Sequence, residues 1–266
     1  MSKFGFIGCG NMGGTLAISV AKSVTDAILV SDYNIETAEK IAKQTNSNVS
    51  TNDQIAKECD FIFLGVKPQV LPSVLSDLSE ILKSRKTRFV LVSMAAGVDT
   101  KTICKLAGSE YPVIRIMPNT PAAVNSGMIL YCTNNIVSND EINEFLNAMS
   151  NTGIVDNISE SLIDAASAVS GCGPAFVYMF IEALADGAVK CGLPREKAIK
   201  YAAQTVVGAG KMILKTEKHP GELKDAVCSP AGSTIAGVEA LEASAFRNAA
   251  IGAVTASYKR TKELGK

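Results

Sequence analysis

The hydrophobic positions of the chain follow one pattern before about residue 158 and another after it. In the first part, short runs of β-branched and aromatic residues alternate with longer amphipathic stretches; these runs are Phe4–Ile7, Ala27–Val30, Phe61–Leu64, Phe89–Val92 and Val113–Ile116. Such alternation is typical of βαβ units, which form a mostly parallel sheet with helices on both faces. The sequence therefore predicts an α/β fold, with a Rossmann-type doubly wound sheet domain over residues 1–157.

Residues 158–266 are rich in alanine and follow a helical period. Gly171–Pro174, Gly192–Pro194 and His219–Gly221 contain helix breakers that divide this part into several helices. We therefore predict a second, all-helical domain for dimerisation and substrate binding. A helical domain this apolar and of only about a hundred residues buries its hydrophobic surface poorly alone, so we expect a homodimer.

Composition narrows the possible partners. The chain has 266 residues, with 26 Lys and Arg against 26 Asp and Glu, and no long block of one sign. That balance argues against a nucleic-acid binder and favours a small neutral or anionic ligand. Seven cysteines without a Cys-x-x-Cys spacing argue against a disulfide framework and against a zinc site, and a reducing cytoplasm fits them best.

Membrane association and secretion are not expected. The beginning of the chain lacks a basic region followed by a long apolar stretch, which a secretory signal requires. The apolar segment Ala175–Ile181 is too short to span a bilayer, and Glu182 and Asp186 interrupt its continuation. We interpret this segment as a buried helix.

A GxGxxG turn follows the first predicted strand and precedes a predicted helix. Gly8 permits a tight turn, Gly10 lets the backbone approach a pyrophosphate, and Gly13 allows the helix to pack closely on the strand. Asn11 and Met12 would supply the first amides of the helix. This setting predicts a dinucleotide site, with a purely structural turn as the alternative.

Asp32 ends the second predicted strand, about 20 residues after the glycine turn. An acidic side chain at this point accepts hydrogen bonds from the adenosine ribose and repels a 2′-phosphate, so we expect NADH to be favoured over NADPH. Ser31 and Asn34 are flexible neighbours that could still accommodate the phosphate. The alternative is that Asp32 only caps the turn before the helix that begins near Ile35.

A second glycine-containing turn, Ser229–Thr234, opens a helix near the other end of the chain. The amides of Ser233 and Thr234 would face an anion such as a substrate carboxylate, although hydroxyl residues at a helix start are also common N-caps. His219 precedes Pro220 at another predicted helix start, which favours a role in capping or loop packing over one in catalysis.

In combination, these motifs resemble those of the pyrroline-5-carboxylate reductases. The resemblance extends over essentially the whole chain and rests on Gly8–Gly13, Val66–Pro68, Met117–Pro121, Ser170–Ala175, and His219–Asp225 leading into Ser229–Ile235. It implies a Rossmann domain followed by a helical dimerisation domain, active sites where two subunits meet, and dimers that often assemble into decamers. The implied reaction is reduction of the cyclic imine 1-pyrroline-5-carboxylate to L-proline, with NADPH or NADH as the hydride donor.

The resemblance also implies individual site residues. The family's cofactor contacts fall on Cys9, Asn11, Met12, Asn34, Asn52, Val66, Lys67 and Ala96. Its substrate contacts fall on Glu160, Ser233 and Thr234.

Three positions depart from the family pattern. Asp32 replaces a small hydroxyl residue that touches the 2′-phosphate in NADPH-using members, Ala226 replaces an asparagine, and Ala231 replaces a second glycine. The departure at Asp32 bears on cofactor preference, and neither alanine removes a reacting group.

Thr234 is the residue predicted to be closest to the chemistry. Its hydroxyl would hydrogen-bond the ring nitrogen of the substrate, but it is too weakly acidic to be a general acid near neutral pH. The imine would therefore enter protonated or take its proton from solvent. Glu160 has an alternative as a first-turn acid favoured by the helix dipole, and the Lys67 side chain has an alternative as a merely solvated group.

Two other functions remain open from the sequence. The chain could be a related imine or β-hydroxyacid reductase with the same architecture, or a non-enzymatic NAD(P)H-sensing protein. A glycine-rich methyltransferase fits the turn spacing and the segment Gly65–Pro68 poorly.

Overall fold

A computed structural model describes residues 2–25 and 28–264 of the chain. These residues group into two compact units. One unit runs to Cys172 and includes the segment from Ser257 onward, and the other comprises Gly173–Ala256.

The first unit is built on an eight-stranded sheet, counted over the described residues. Its strands are β1 (Phe4–Ile7), β2 (Leu29–Ser31), β3 (Asn48–Val49), β4 (Phe61–Leu64), β5 (Val90–Ser93), β6 (Val113–Met117), β7 (Gly127–Thr133) and β8 (Gly153–Asn157). Their order is β3-β2-β1-β4-β5-β6-β7-β8, and every pair is parallel except β6 with β7. The predicted doubly wound sheet is confirmed. Of the predicted strand residues, Ala27 lies outside the described part of the chain.

Helices connect the strands and cover both faces of the sheet. They are α1 (Asn11–Ala21), α2 (Ile35–Thr45), α3 (Asn52–Glu58), α4 (Leu71–Ser84), α5 (Thr100–Ala107), α6 (Asn139–Ala148) and α7 (Glu160–Ser170), with a 3-10 helix at Thr120–Val124. Alternate strand residues feed two separate cores: Phe61 and Phe63 lie in one, and Ile62 and Leu64 lie in the other. Because both faces are covered, β4 is buried along its whole length, as parallel strands generally are.

The second unit is helical, as the alanine-rich pattern predicts. Its elements are α8 (Gly173–Lys190), α9 (Arg195–Thr216), α10 (Pro220–Ala226), α11 (Ser233–Ala243) and α12 (Phe246–Leu264), of which α12 extends into the segment that groups with the first unit. Small side chains at the crossing of α8 and α9, namely Ala185, Ala198 and Ala202, form its buried core. The predicted breakers lie at the helix ends, with Gly192 at a φ of 95° between α8 and α9.

The boundary predicted at residues 157 and 158 stays a prediction. β8 ends at Asn157, and the compact units divide fifteen residues later, after Cys172. Helix α7 groups with the first unit because Ile163 packs against Leu130 and Cys132 of β7.

Large apolar side chains remain exposed on the second unit. They include Val177, Tyr178, Met179, Ile199, Tyr201, Met212, Leu214 and Ile251. The prediction that Ala175–Ile181 is a buried helix is wrong for the single chain, because the segment is helical but none of its residues is buried. Among the described residues, one stretch, Glu160–Lys190, is long and apolar enough to cross a membrane by length and composition alone, with 11% of its most apolar window buried. It is interrupted between Ser170, where α7 ends, and Gly173, where α8 begins.

Candidate active site

The glycine turn after β1 contains glycines of two kinds. Gly13 and Gly65 are required for packing, since a Cβ on either would lie 2.0 Å or 2.3 Å from the Gly8 carbonyl oxygen. Gly10 is different, because outside its chain neighbours no described atom lies within 4 Å of a Cβ built there. The turn is therefore tight against β4 and open at Gly10, as expected for a cradle that a pyrophosphate fills.

Helix α1 begins at this open point. Its N-cap is Gly10, and among the described residues no side chain caps it and no acidic residue lies in its first turn. The first intrahelical bond runs from the Gly14 N–H to the Gly10 oxygen at 2.8 Å. The amides of Asn11, Met12 and Gly13 are thus left to an external acceptor, at the positive end of the helix dipole. The residues present fit the pyrophosphate of a dinucleotide.

Asp32 is bound to the glycine turn through its carboxylate. One oxygen accepts the Cys9 N–H at 2.6 Å, and the other accepts the Asn34 N–H at 2.9 Å. The second bond is the turn-capping interaction expected as the alternative, although the N-cap of α2 is Asn34, whose side chain accepts the Glu36 N–H at 3.0 Å. Two backbone donors thus orient the Asp32 carboxylate beside the turn.

Two further polar side chains lie beside Asp32. The Ser31 hydroxyl donates to the Asn52 side-chain oxygen at 2.7 Å, which joins the end of β2 to the start of α3. Ser31, Asp32, Asn34 and Asn52, all singled out from the sequence, therefore meet at one edge of the sheet, next to the glycine turn.

Cys9 is a buried packing residue within the turn. Its thiol donates to the Ser31 carbonyl oxygen at 3.5 Å and is 2% exposed. Burial, together with the charge of Asp32, raises the pKa of Cys9 to about 12. The side chain is therefore neutral and unreactive at physiological pH, so any contact with a cofactor comes from its backbone.

The other predicted cofactor residues follow neighbouring strands. Val66 and Lys67 come directly after β4, and Ala96 comes after β5, so all three lie at the carboxyl edge of the parallel strands. Val66 is partly buried against the core, with its Cγ1 atom 3.0 Å from a Cβ built on Gly8, whereas Lys67 is exposed. Val66 therefore contributes to the packing behind the glycine turn, whereas the Lys67 side chain faces solvent.

Asn119, in the motif Met117–Pro121, has a structural role. It is 7% exposed, donates to the Ser170 carbonyl oxygen at 2.8 Å and accepts the Met128 N–H at 2.9 Å. These bonds join the loop after β6 to α7 and β7. They support a rigid turn at this motif.

Glu160 is the centre of a charged cluster in the first unit. Its two carboxylate oxygens accept the Thr100 N–H at 2.8 Å and the Thr100 hydroxyl at 2.9 Å, which caps the start of α5. Arg115, 3% exposed at its side chain, lies 3.7 Å from Glu160 and 2.7 Å from Asp164, and Lys262 lies 3.2 Å from the other Asp164 oxygen. The cluster borders a cavity of about 450 Å³ that Gly97 also lines.

Arg115 and Asp164 were not singled out from the sequence. The available signal was an arginine inside an otherwise apolar strand, because a buried guanidinium requires carboxylate partners. The contact of Glu160 with a substrate stays a prediction, since both of its oxygens already hold partners in the first unit.

The anion site predicted for the second unit falls at the start of α11. Its N-cap is Gly232, and Ser233 and Thr234 are the first two residues of the helix. Among the described residues, no side-chain hydroxyl caps this end of the helix. The alternative that Ser233 or Thr234 is the N-cap is therefore wrong. Both residues are exposed, and their amides are available to an anion.

His219 has the capping role expected of it. It is the N-cap of α10, where its Nδ1 atom accepts the Gly221 N–H at 3.1 Å. Within residues 2–25 and 28–264, no group of three or more His, Cys, Asp or Glu side chains is arranged to hold a metal ion.

Comparison with known protein families covers both parts of the chain. Residues 160–264 match the family described as pyrroline-5-carboxylate reductase dimerisation. Residues 3–97 match the family described as NADP oxidoreductase, coenzyme F420-dependent.

Individual relatives match along almost their full length. A pyrroline-5-carboxylate reductase of Escherichia coli is 40% identical over 268 residues, which cover 99% of this chain and 98% of the relative. The crystal structure of Plasmodium falciparum pyrroline carboxylate reductase with NADP bound is 34% identical, with a TM-score of 0.88 over 100% of this chain and 98% of that one. A pyrroline-5-carboxylate reductase from Coxiella burnetii is 33% identical, with a TM-score of 0.90 over 100% and 99%. With identity at this level from end to end, the chain belongs to the pyrroline-5-carboxylate reductase family.

Proposed function

We propose that this protein reduces 1-pyrroline-5-carboxylate to L-proline with a reduced nicotinamide dinucleotide. The observation that carries the proposal is identity of 40% over 99% of the chain to a pyrroline-5-carboxylate reductase. The test is NAD(P)H oxidation by the purified protein on addition of 1-pyrroline-5-carboxylate, with proline identified as the product. Faster reduction of a larger cyclic imine, or faster oxidation of a β-hydroxyacid with NAD(P)+, would contradict the substrate assignment.

The dinucleotide would be held by the first unit. The proposed contacts are Gly8, Cys9, Gly10, Asn11, Met12, Gly13, Asp32, Asn34, Asn52, Val66, Lys67 and Ala96. The free amides at the start of α1 and the open space at Gly10 support a pyrophosphate there. When bound, the reduced nicotinamide supplies the hydride, and the protein's part is to bind and orient the reactants.

We further propose that NADH is preferred over NADPH. Asp32 carries a negative charge beside the glycine turn, and its two backbone bonds prevent it from swinging away from a 2′-phosphate. The NADP in the Plasmodium falciparum structure supports the opposite preference by analogy. Measurement of kcat/KM with both cofactors decides between them, and a higher value with NADPH would overturn the role given to Asp32.

The substrate carboxylate would bind the start of α11. Ser233 and Thr234 offer exposed amides there, and the Thr234 hydroxyl would hydrogen-bond the ring nitrogen. Since this hydroxyl cannot act as a general acid near neutral pH, the imine would be protonated before or during binding. Glu160 is retained as a proposed substrate contact, and its bonds to Thr100 support a structural role as well.

Replacement of Thr234 tests its proposed catalytic role. Thr234→Ala should lower kcat on the order of 10- to 100-fold, the worth of one hydrogen bond to a charged group, with cofactor affinity nearly unchanged. Thr234→Ser is the matched control, because it keeps the hydroxyl. An unchanged kcat in the alanine variant would refute the role.

We propose that the second unit forms a homodimer, and that dimers assemble further into a decamer. The large apolar side chains exposed on α8, α9 and α12 support a subunit interface, as does the match of residues 160–264 to a dimerisation family. The same interface would cover the apolar stretch Glu160–Lys190, which we assign to a subunit contact and not to a membrane. A monomer in light scattering at micromolar concentration would overturn this assignment.

We also propose that the protein works in the cytoplasm. Free cysteines support a reducing compartment: all seven are unpaired, and Cys191 is exposed. Fractionation of the source cells would test this, and recovery with membranes or outside the cell would contradict it.

A further inference from the structure

Tyr33 is an aromatic residue at the cofactor edge that the proposed site does not yet use. It lies between Asp32 and Asn34, directly after β2, and its side chain is fully exposed. Single exposed apolar residues are common on protein surfaces, so exposure alone implies nothing. The backbone on both sides of Tyr33, however, is fixed by hydrogen bonds.

The chain on both sides of Tyr33 is fixed to the glycine turn. The Asp32 carboxylate accepts the N–H of Cys9 at 2.6 Å and that of Asn34 at 2.9 Å, so it spans the tyrosine. Asn34 then caps α2 through the Glu36 N–H at 3.0 Å. The backbone is thus anchored at three points while the ring projects into solvent, and a ligand that covers the ring would have little backbone to order.

The position of the ring indicates which part of a dinucleotide it meets. β2 borders β1 in the sheet, and in Rossmann domains the end of this second strand binds the adenosine ribose. The pair formed by Ser31 and Asn52 adds polar groups suited to that sugar. The flat adenine base lies beyond the ribose, and an aromatic ring at this edge offers it a stacking surface.

We propose that Tyr33 stacks on the adenine base of the bound dinucleotide, an inference that rests on the proposed cofactor site. Stacking does not read the 2′ position of the ribose. Tyr33 therefore strengthens the binding of NADH and NADPH equally, and discrimination between them is left to Asp32.

The composition of the chain offers a direct probe. It contains six tyrosines and no tryptophan, so its intrinsic emission comes from tyrosine. ADP-ribose carries the adenine, ribose and pyrophosphate but no nicotinamide, and it can be titrated into the intact protein without substrate. Stacking predicts that ADP-ribose quenches part of the tyrosine emission and that this part is missing in Tyr33→Phe.

Three variants separate stacking from other effects. Tyr33→Phe should bind ADP-ribose with nearly the wild-type Kd, measured by calorimetry, while Tyr33→Ala should bind on the order of 10-fold more weakly. Tyr33→Leu, which keeps apolar area without the ring, should resemble the alanine variant. Both weakened variants should retain the wild-type ratio of Kd values for NADH and NADPH.

The outcomes distinguish this inference from the proposed function. Wild-type ADP-ribose affinity in Tyr33→Ala, with 1-pyrroline-5-carboxylate still reduced by the wild-type protein, would overturn the role of Tyr33 alone. Weakened ADP-ribose binding in that variant would support it even if another imine proved to be the substrate. Failure of the wild-type protein to bind ADP-ribose would overturn both this inference and the proposed cofactor site.

Discussion

At the scale of single residues, glycines that share one motif do different work. Gly13 has no room for a side chain because the Gly8 carbonyl oxygen lies where a Cβ would stand, whereas the space beside Gly10 is open. The spacing GxGxxG does not distinguish these two cases. The distinction appears only when the turn is seen against the loop after β4, where Gly65 meets the same carbonyl oxygen.

Substitution of the two glycines should therefore separate folding from binding. Gly13→Ala should destabilise the protein by several kcal/mol, since backbone must move to relieve the contact at 2.0 Å. Gly10→Ala, at a φ of −62°, should leave the Tm within a few degrees of wild type but weaken NADH binding, because its methyl group enters the cradle. Thermal unfolding and fluorescence titration measure the two effects. Equal loss of Tm in both variants would contradict this division.

Ala231 gives a second residue-scale prediction. It has a φ of 57°, a left-handed conformation that costs an L-residue roughly 1–2 kcal/mol and that glycine adopts without this penalty. Ala231→Gly should raise stability by about 0.5–1 kcal/mol after the entropy of glycine is subtracted. Ala236→Gly, inside α11, is the matched control and should lower it by about 1 kcal/mol. Thermal unfolding checks both, and a lower Tm for Ala231→Gly would refute the explanation.

At the scale of elements, much of the architecture follows from local patterns. The runs around Phe61–Leu64 and Phe89–Val92 are strands because the strands at the centre of a parallel sheet are buried on both faces. β3 has two exposed residues, and β8 is mostly exposed, so neither carries an apolar signature. Their pairing depends on neighbouring strands that are distant in the chain.

The candidate site likewise contains residues that local sequence predicts and contacts that it does not predict. The positions of Asp32 beside the glycine turn and of Thr234 at a helix start could be predicted from the sequence, because local patterns set both positions. The bond between Glu160 and Thr100 spans sixty residues and depends on β6 carrying Arg115 between α5 and α7. An arginine inside an apolar strand signals that carboxylate partners exist, but no local pattern identifies which carboxylates they are.

Glu160 offers a prediction at the element scale. Glu160→Gln removes the charge that faces the buried Arg115 and weakens the cap of α5, so it should lower the free energy of unfolding by about 1–3 kcal/mol. If capping is its main role, kcat/KM for 1-pyrroline-5-carboxylate should fall less than 10-fold at temperatures where the variant is folded. Asp99→Asn, at the N-cap of the same helix, is the matched control, because it retains an N-capping residue. Full stability with a large rise in KM would instead favour substrate contact.

At the scale of the whole molecule, the first unit buries ionisable thiols in its core. Cys9, Cys59 and Cys132 are 2%, 0% and 4% exposed. Burial is the main cause that raises the pKa of each thiol from 9.0 to about 12, with nearby carboxylates adding to it. Because these three thiols stay neutral in the folded state, the free energy of unfolding of this unit should vary with pH in the alkaline range.

The direction of that dependence follows from proton linkage. Between pH 9 and 12 the unfolded chain releases protons that the folded chain retains, so the folded state is fully stabilised below pH 9 and loses stability as the pH rises. Each thiol contributes a slope of up to about 1.4 kcal/mol per pH unit. Denaturant unfolding at several pH values in this window gives the slope of the free energy of unfolding against pH. In Cys59→Ala this slope should be smaller than in the wild type by the contribution of one thiol. Cys191→Ala, at an exposed cysteine, is the control and should retain nearly the wild-type slope. Parallel curves for the wild type and Cys59→Ala would mean that the buried thiol ionises as readily in the folded protein as in the unfolded chain.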